Sequence, residues 1–160
     1  MRIKTKPYGE VEINEANIIK IVDGLFGFPG LENYVFLESK TEGPFLWLQS
    51  LDEPGLAFVV IRPEEFKADY KLSVALEDIK SIGLESPDEA VSIALVVIPP
   101  DPKQMTANLQ GPIVLNVQSK IARQMISLNP EYKIKHHILD EMKVLLEKTK
   151  EGMHKEEVKD

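Results

Sequence analysis

The sequence predicts a mostly β fold, either an antiparallel barrel or two packed sheets, with short helical segments and a C-terminal helix. Three observations lead there. Short runs rich in aromatic and β-branched residues recur from Arg2 to Leu128. Turn formers separate them, and a helical apolar period appears only beyond Pro130. With 160 residues the chain can bury one core without a metal or disulfide to hold it.

Taken in order, Arg2–Thr5, Glu10–Ile13 and Ile18–Val22 are the first candidate strands. Gly24-Leu-Phe-Gly-Phe-Pro-Gly30 reads as a tight structured turn leading into Tyr34–Leu37. Phe45–Gln49 and Leu56–Ile61 make a hairpin, with Asp52-Glu-Pro-Gly55 supplying the loop. Pro63–Tyr70 and Val74–Ile82 read as short helical turns, the second stopped by Gly83. Ser86-Pro-Asp-Glu89 has capping-box spacing but room for one turn only. Val91–Ile98 alternates and then turns wholly apolar, as a strand covered on both faces does, and Pro99, Pro100 and Pro102 end it. Ile113–Val117 and Ile121–Leu128 form a further pair. Beyond Pro130, Leu139, Met142, Leu145 or Leu146 and Met153 recur at helical spacing and predict an amphipathic helix of about four turns, fraying at Gly152. The division is a β domain over residues 1–135 and a helix with its tail over 136–160, within one domain or appended to it.

Composition narrows the function classes. There is no cysteine, so disulfides, thiolate metal sites and thiol nucleophiles are excluded. No apolar run is long enough to span a bilayer and the N-terminus has no secretory h-region, so a cytoplasmic protein without membrane contact is expected. The net charge of −7 argues against direct nucleic-acid binding and favours a basic protein partner. Six carboxylates (Glu77, Asp78, Glu85, Asp88, Glu89 and Asp101) face a single Lys80 in that stretch, as a solvated face or as a docking face for such a partner.

Catalytic patterns are absent. The Gly24/Gly27/Gly30 spacing is not a dinucleotide fingerprint, no Lys-Ser or Lys-Thr makes it a P-loop, and no serine sits in a nucleophile elbow. On a helix His136 would stand four residues before Asp140, and His137 four before Glu141, but a third ligand for a catalytic zinc is missing. No cofactor or metal is expected. Thr106-Ala-Asn-Leu-Gln-Gly-Pro-Ile-Val-Leu-Asn116 is the remaining distinctive string; its Thr and Asn residues are of the kind that satisfy backbone groups at turns.

That string, with Phe45-Leu-Trp-Leu-Gln-Ser50, Leu56-Ala-Phe-Val-Val60, the Gly24–Gly30 turn and the opening around Thr5 and Gly9-Glu10-Val11, resembles the FliW family of flagellar assembly factors over about residues 1–135. The terminal stretch from Lys133 is longer and more helical than the family pattern. The resemblance implies a non-enzymatic regulator that binds the RNA-binding translational repressor CsrA and also binds flagellin, so that flagellin secretion frees it to act on CsrA. Antagonism is expected to be allosteric, since an acidic face can act without occupying an RNA site, and RNA and regulator then weaken one another by the same factor. Partner-binding candidates are the acidic residues Glu77, Asp78, Glu85, Asp88 and Glu89, with Phe26, Phe28, Met105 and Asn108 for an apolar partner. Thr106, Asn108, Leu109, Pro112 and Asn116 are motif positions with structural duty. The stripe from Leu139 to Leu146 either packs on the core or covers an apolar groove. Two other classes stay open: a small metal-dependent hydrolase around His136 and His137, and a β-barrel for a small ligand.

Overall fold

The computed structural model describes residues 1–41 and 43–147. Among the described residues there are eleven strands: β1 (Arg2–Thr5), β2 (Gly9–Glu12), β3 (Ile19–Ile21), β4 (Asn33–Glu38), β5 (Leu46–Ser50), β6 (Ala57–Ile61), β7 (Val91–Val97), β8 (Thr106–Ala107), β9 (Ile113–Asn116), β10 (Ile121–Gln124) and β11 (His136–His137). Helix α1 spans Leu76–Ser81, and α2 runs over 138–147 within the described residues.

Seven strands close on themselves in the order β7-β6-β5-β4-β3-β10-β9 and back to β7. Closure depends on β7. Its first half, Val91–Ile93, pairs with β9, and Ala94–Val96 pair with β6 on the opposite edge. The edge that β9 leaves is taken by β8 at Val96 and Val97, and β11 pairs outside β8. The seven-strand ring has no free edge to recruit another chain, and the branch ends at the two-residue β11. Both strand pairs expected from the sequence, β5–β6 and β9–β10, are antiparallel hairpins. One seam departs from the antiparallel expectation: β3 and β10 run parallel, with Ile121 opposite Lys20 and Ala122 opposite Ile21. Closure joins two strands from opposite ends of the barrel's chain, and their direction follows from the order of the strands between them.

Side-chain alternation sorts the apolar residues into an interior and two outer layers. Ile19, Ile21, Tyr34, Leu48, Val60, Ile93, Ile113 and Leu115 fill the barrel. Ile61 and Ala94, the neighbours of Val60 and Ile93, face outward and are covered by Phe66, Leu109, Tyr132 and Ile138. Val114 likewise faces out beneath Val74, Ile79, Ile82 and Leu84 of the α1 segment. This explains why β7 turns wholly apolar after Ser92: Ile93 and Ala94, on opposite faces, are both buried. Each Val, Leu, Ile or Phe among them contributes roughly 1.5–3 kcal/mol when fully buried.

Three predicted elements are corrected. Pro63–Tyr70 holds only a 3-10 turn at Pro63–Glu65, after which Phe66 is drawn into the outer core. The strand expected over Ile121–Leu128 ends at Gln124, beyond which Met125 N–H donates to Pro112 O (2.9 Å) and Ser127 N–H to Gln110 O (2.8 Å). The terminal helix starts at 138 and not at 136, because the backbones of His136 and His137 complete the ladder on β8 first. Gly152, Met153 and His154 lie outside the described residues. The Gly83 stop stands as expected, at φ +83°.

The loop after β5 is tied to the start of β4 by Asp52, which accepts from the Glu32 and Asn33 backbone N–H groups (2.9 and 3.0 Å) and from the Asn33 amide (3.1 Å). Lost hydration pushes this carboxyl up, but the hydrogen bonds from Asn33 and Glu32 outweigh it and hold the group below its ordinary 3.8. A depressed carboxyl stabilises the fold above its unfolded-state pKa, and that contribution is lost as pH falls through the folded value. Asp52→Asn is therefore expected to cost about 1 kcal/mol at neutral pH, with the gap to the parent closing below the ordinary 3.8, as urea melts across the acid range would record.

Candidate functional site

The Thr106–Asn116 string runs from β8 through a turn into β9, and its polar side chains bond to the fold itself. Asn108 Oδ1 accepts from the backbone N–H groups of Gln110 (3.0 Å) and Gly111 (2.9 Å), closing an Asx turn. At the far end Asn116 Nδ2 donates to Ile82 O (2.8 Å), and its Oδ1 accepts from Gln118 N–H (3.1 Å). Thr106, Leu109 and Pro112 are buried. The five motif positions thus set one turn, anchor α1 to β9 and fill the core.

Gln124 is the residue that sequence reasoning missed. It is 5% exposed, accepts from Phe26 N–H through Oε1 (2.7 Å) and donates from Nε2 to Gly111 O (2.9 Å). One buried amide therefore joins the Gly24–Gly30 turn to the motif turn. Gln49, fully buried, does the same for the β1–β2 hairpin: it accepts from Lys6 N–H (2.9 Å) and donates to Pro54 O (3.0 Å). The available signal was an amide at the polar end of an apolar strand, which looks the same as an ordinary surface position.

The Gly24–Gly30 turn is as tight as its glycines suggest. Gly24 has φ +74°, and a Cβ there would collide with Phe28 O. Within the turn, Phe28 packs edge-on against Phe58 at 5.2 Å, so it belongs to the core margin, whereas Phe26 is 53% exposed. Met105 is half-buried on a different face, beside Trp47, Val59 and Ile98. The four residues named for an apolar partner therefore do not form one patch. Phe26 and Asn108 meet at the motif turn, while Phe28 and Met105 stand elsewhere.

The acidic candidates stay together. Glu77 and Asp78 open α1, and Glu85, Asp88 and Glu89 lie in the following loop and its 3-10 turn, at the Asn116 end of β9. Among the described residues none of the five is ion-paired, and all but half-buried Asp78 are exposed.

His136 is held on both sides. Its Nε2 accepts from Lys133 N–H (2.8 Å), so Nδ1 carries the proton and faces Glu141 Oε1 at 3.2 Å. His137 is exposed on β11, away from this pair of contacts. The spacing that placed each histidine over a carboxylate one helical turn later does not apply, because neither lies on the helix. Tyr132 stacks on Tyr70 at 5.1 Å, and burial pushes the Tyr70 hydroxyl up to about 12 despite its bond with Ser92. Among the described residues no three His, Asp or Glu side chains gather as a cation site. Helix α2 packs through Ile138 and Met142 on the outer core and borders a hollow of about 290 Å³ with Phe66 and Lys67; neither Phe26 nor Met105 lines it. No helix among the described residues is long and apolar enough to cross a membrane.

These features define a class: a small closed β-barrel whose strand β7 carries an outer two-stranded branch, with a helix on its flank and its signature polar residues committed to turns. The family model described as FliW protein matches residues 2–138. The chain is 46% identical to the flagellar assembly factor FliW of Treponema denticola over 142 residues, 89% of this chain and 96% of that protein. It is 43% identical to the flagellar assembly factor FliW of Leptospira biflexa over 141 residues, 88% of this chain and 92% of that one. A crystal structure of the flagellar assembly factor FliW superposes with a TM-score of 0.78 at 31% identity, covering 86% of this chain and 96% of that chain. The chain belongs to the FliW family.

Gln124→Leu removes the acceptor for Phe26 N–H and the donor to Gly111 O while keeping an apolar side chain in place. It is expected to cost about 3 kcal/mol, from two backbone groups left without partners. Urea melts measure the loss, and faster amide exchange at Phe26 than at core strand positions locates it.

Proposed function

We propose that this chain is a non-enzymatic, protein-binding regulator of flagellum assembly. In this reading it binds and antagonises a CsrA-type RNA-binding repressor, binds flagellin, and so couples flagellin level to flagellin translation in the cytoplasm. The observation that carries the reading is the family match across residues 2–138, with 46% identity to a protein named a flagellar assembly factor. That name supports the flagellar role, and the two partners are the finer part of the proposal.

The acidic segment supports the repressor arm. Five carboxylates on α1 and its following turns, unpaired among the described residues, make a negative surface on a chain already at −7. Such a surface steers a basic protein into encounter and repels an RNA backbone from the same region once docked. An allosteric mode fits because the acidic surface need not enter the RNA site to change its affinity.

Size exclusion with light scattering, using the CsrA-type protein of the same organism, tests the repressor arm: a co-eluting complex that weakens with salt is expected, and none at micromolar concentrations would refute it. Reversing Asp88 and Glu89 to Lys should then slow association about tenfold at low salt, with a smaller change in dissociation. Equal association rates for variant and parent would remove the acidic surface from the account.

A further inference from the structure

A second surface lies at the other end of the β9–β10 hairpin. The antiparallel register sets Asn116 opposite Ile121 at one end and Ile113 opposite Gln124 at the other. The acidic segment is anchored at the Asn116 end. At the Ile113 end, three backbone segments converge on the Gln110–Gly111 turn. Ser127 N–H donates to Gln110 O (2.8 Å), Gln110 N–H donates to Lys133 O (3.1 Å), and the Phe26 ring lies against Gly111, 3.5 Å from where a Cβ would stand. Each segment exposes a large apolar side chain beside that junction: Phe26 at 53%, Ile126 at 55% and Ile134 at 59%. Exposed apolar residues scattered singly need no explanation, but three around one turn do.

The charges there have the opposite sign to the rest of the molecule. Lys133 and Lys135 flank Ile134, and among the described residues neither is ion-paired; the Lys133 ammonium donates only to Pro130 O. Arg123 lies nearby with Asp23 as its partner (2.9 Å), which leaves Lys133 and Lys135 against the single exposed carboxylate of Glu131, a net positive charge beside Ile134. On a chain of net charge −7, an apolar patch rimmed by lysines is selective for an acidic occupant.

Backbone accounting decides the form of that occupant. The N–H and C=O groups of both Gln110 and Gly111, and the N–H groups of Met125 and Ser127, are already hydrogen-bonded within the fold. The turn at the centre of the patch therefore offers no edge for an extended peptide to join. A helix satisfies its own backbone and binds through side chains alone. We propose that Phe26, Ile126 and Ile134, rimmed by Lys133 and Lys135, dock an amphipathic helix of a partner protein whose apolar stripe is flanked by Asp or Glu. The inference rests on the flagellin arm of the proposed function, since flagellin's terminal segments are amphipathic helices.

The test titrates monomeric flagellin of the same organism, and separately the CsrA-type protein, against the full chain and two variants. Phe26→Ala/Ile134→Ala removes apolar contact, and Lys133→Glu/Lys135→Glu reverses the rim; thermal melts establish that both are folded. Support is a loss of flagellin affinity of at least about tenfold in the first variant, a slower salt-sensitive association in the second, and repressor binding within about twofold of the parent in both. Parent-like flagellin binding by both folded variants would overturn this surface and leave the regulator reading intact. If the parent chain binds the repressor but not flagellin, the flagellin arm fails, and this inference with it.

Discussion

The structure depends on one strand being paired on both edges. Strand β7 gives its first half to β9 and its second half to β6, and because the two pairings are staggered the sheet closes without a gap. The same stagger leaves a short free edge at Val96 and Val97, which β8 and then β11 occupy. The outer branch, the start of the terminal helix and the tyrosine–histidine cluster beneath it all follow from that small vacancy. A barrel closed by a strand in full register would have no place for them.

Where the chain cannot satisfy its turns with backbone alone, it uses amides. Gln49 and Gln124 each join two segments far apart in sequence, and Asn108 and Asn116 hold the two ends of β9. An amide can donate and accept at once and carries no charge to desolvate, so it suits a nearly dry junction better than a carboxylate or lysine. The side chains left for partners are accordingly those on the outside of these junctions: carboxylates beyond Asn116, apolar groups beyond Gln124.

Much of the fold was legible because its signals are local. The β5–β6 hairpin is written in two aromatic and β-branched runs around Asp52–Gly55, and the burial of β7 on both faces is written in the wholly apolar stretch that follows Ser92. The stop at Gly83 needs only a glycine able to take φ +83°. What escaped was set by distant partners. A two-residue strand such as His136–His137 has no period to detect, and its pairing exists only because β7 leaves an edge open. Its histidines fit a helical pattern because the apolar period of α2 extrapolates smoothly backward through them. The candidate site was legible in part: the acidic run is contiguous in sequence and stays contiguous in space. The lysine-rimmed patch draws Phe26, Ile126 and Ile134 from three separate segments, and no spacing rule joins them.

The parallel seam between β3 and β10 has a consequence for how the molecule is made. A ribosome delivers β3 roughly a hundred residues before its partner β10, and β3 has only β4 to pair with until then. Closing a loop of that length costs conformational entropy that local hairpins do not, so the β4–β5–β6 meander can form early while the barrel stays an open, curling sheet. During that interval the outer edge of β3 is an unpaired template. That edge is closed only when β10 arrives to complete the ring.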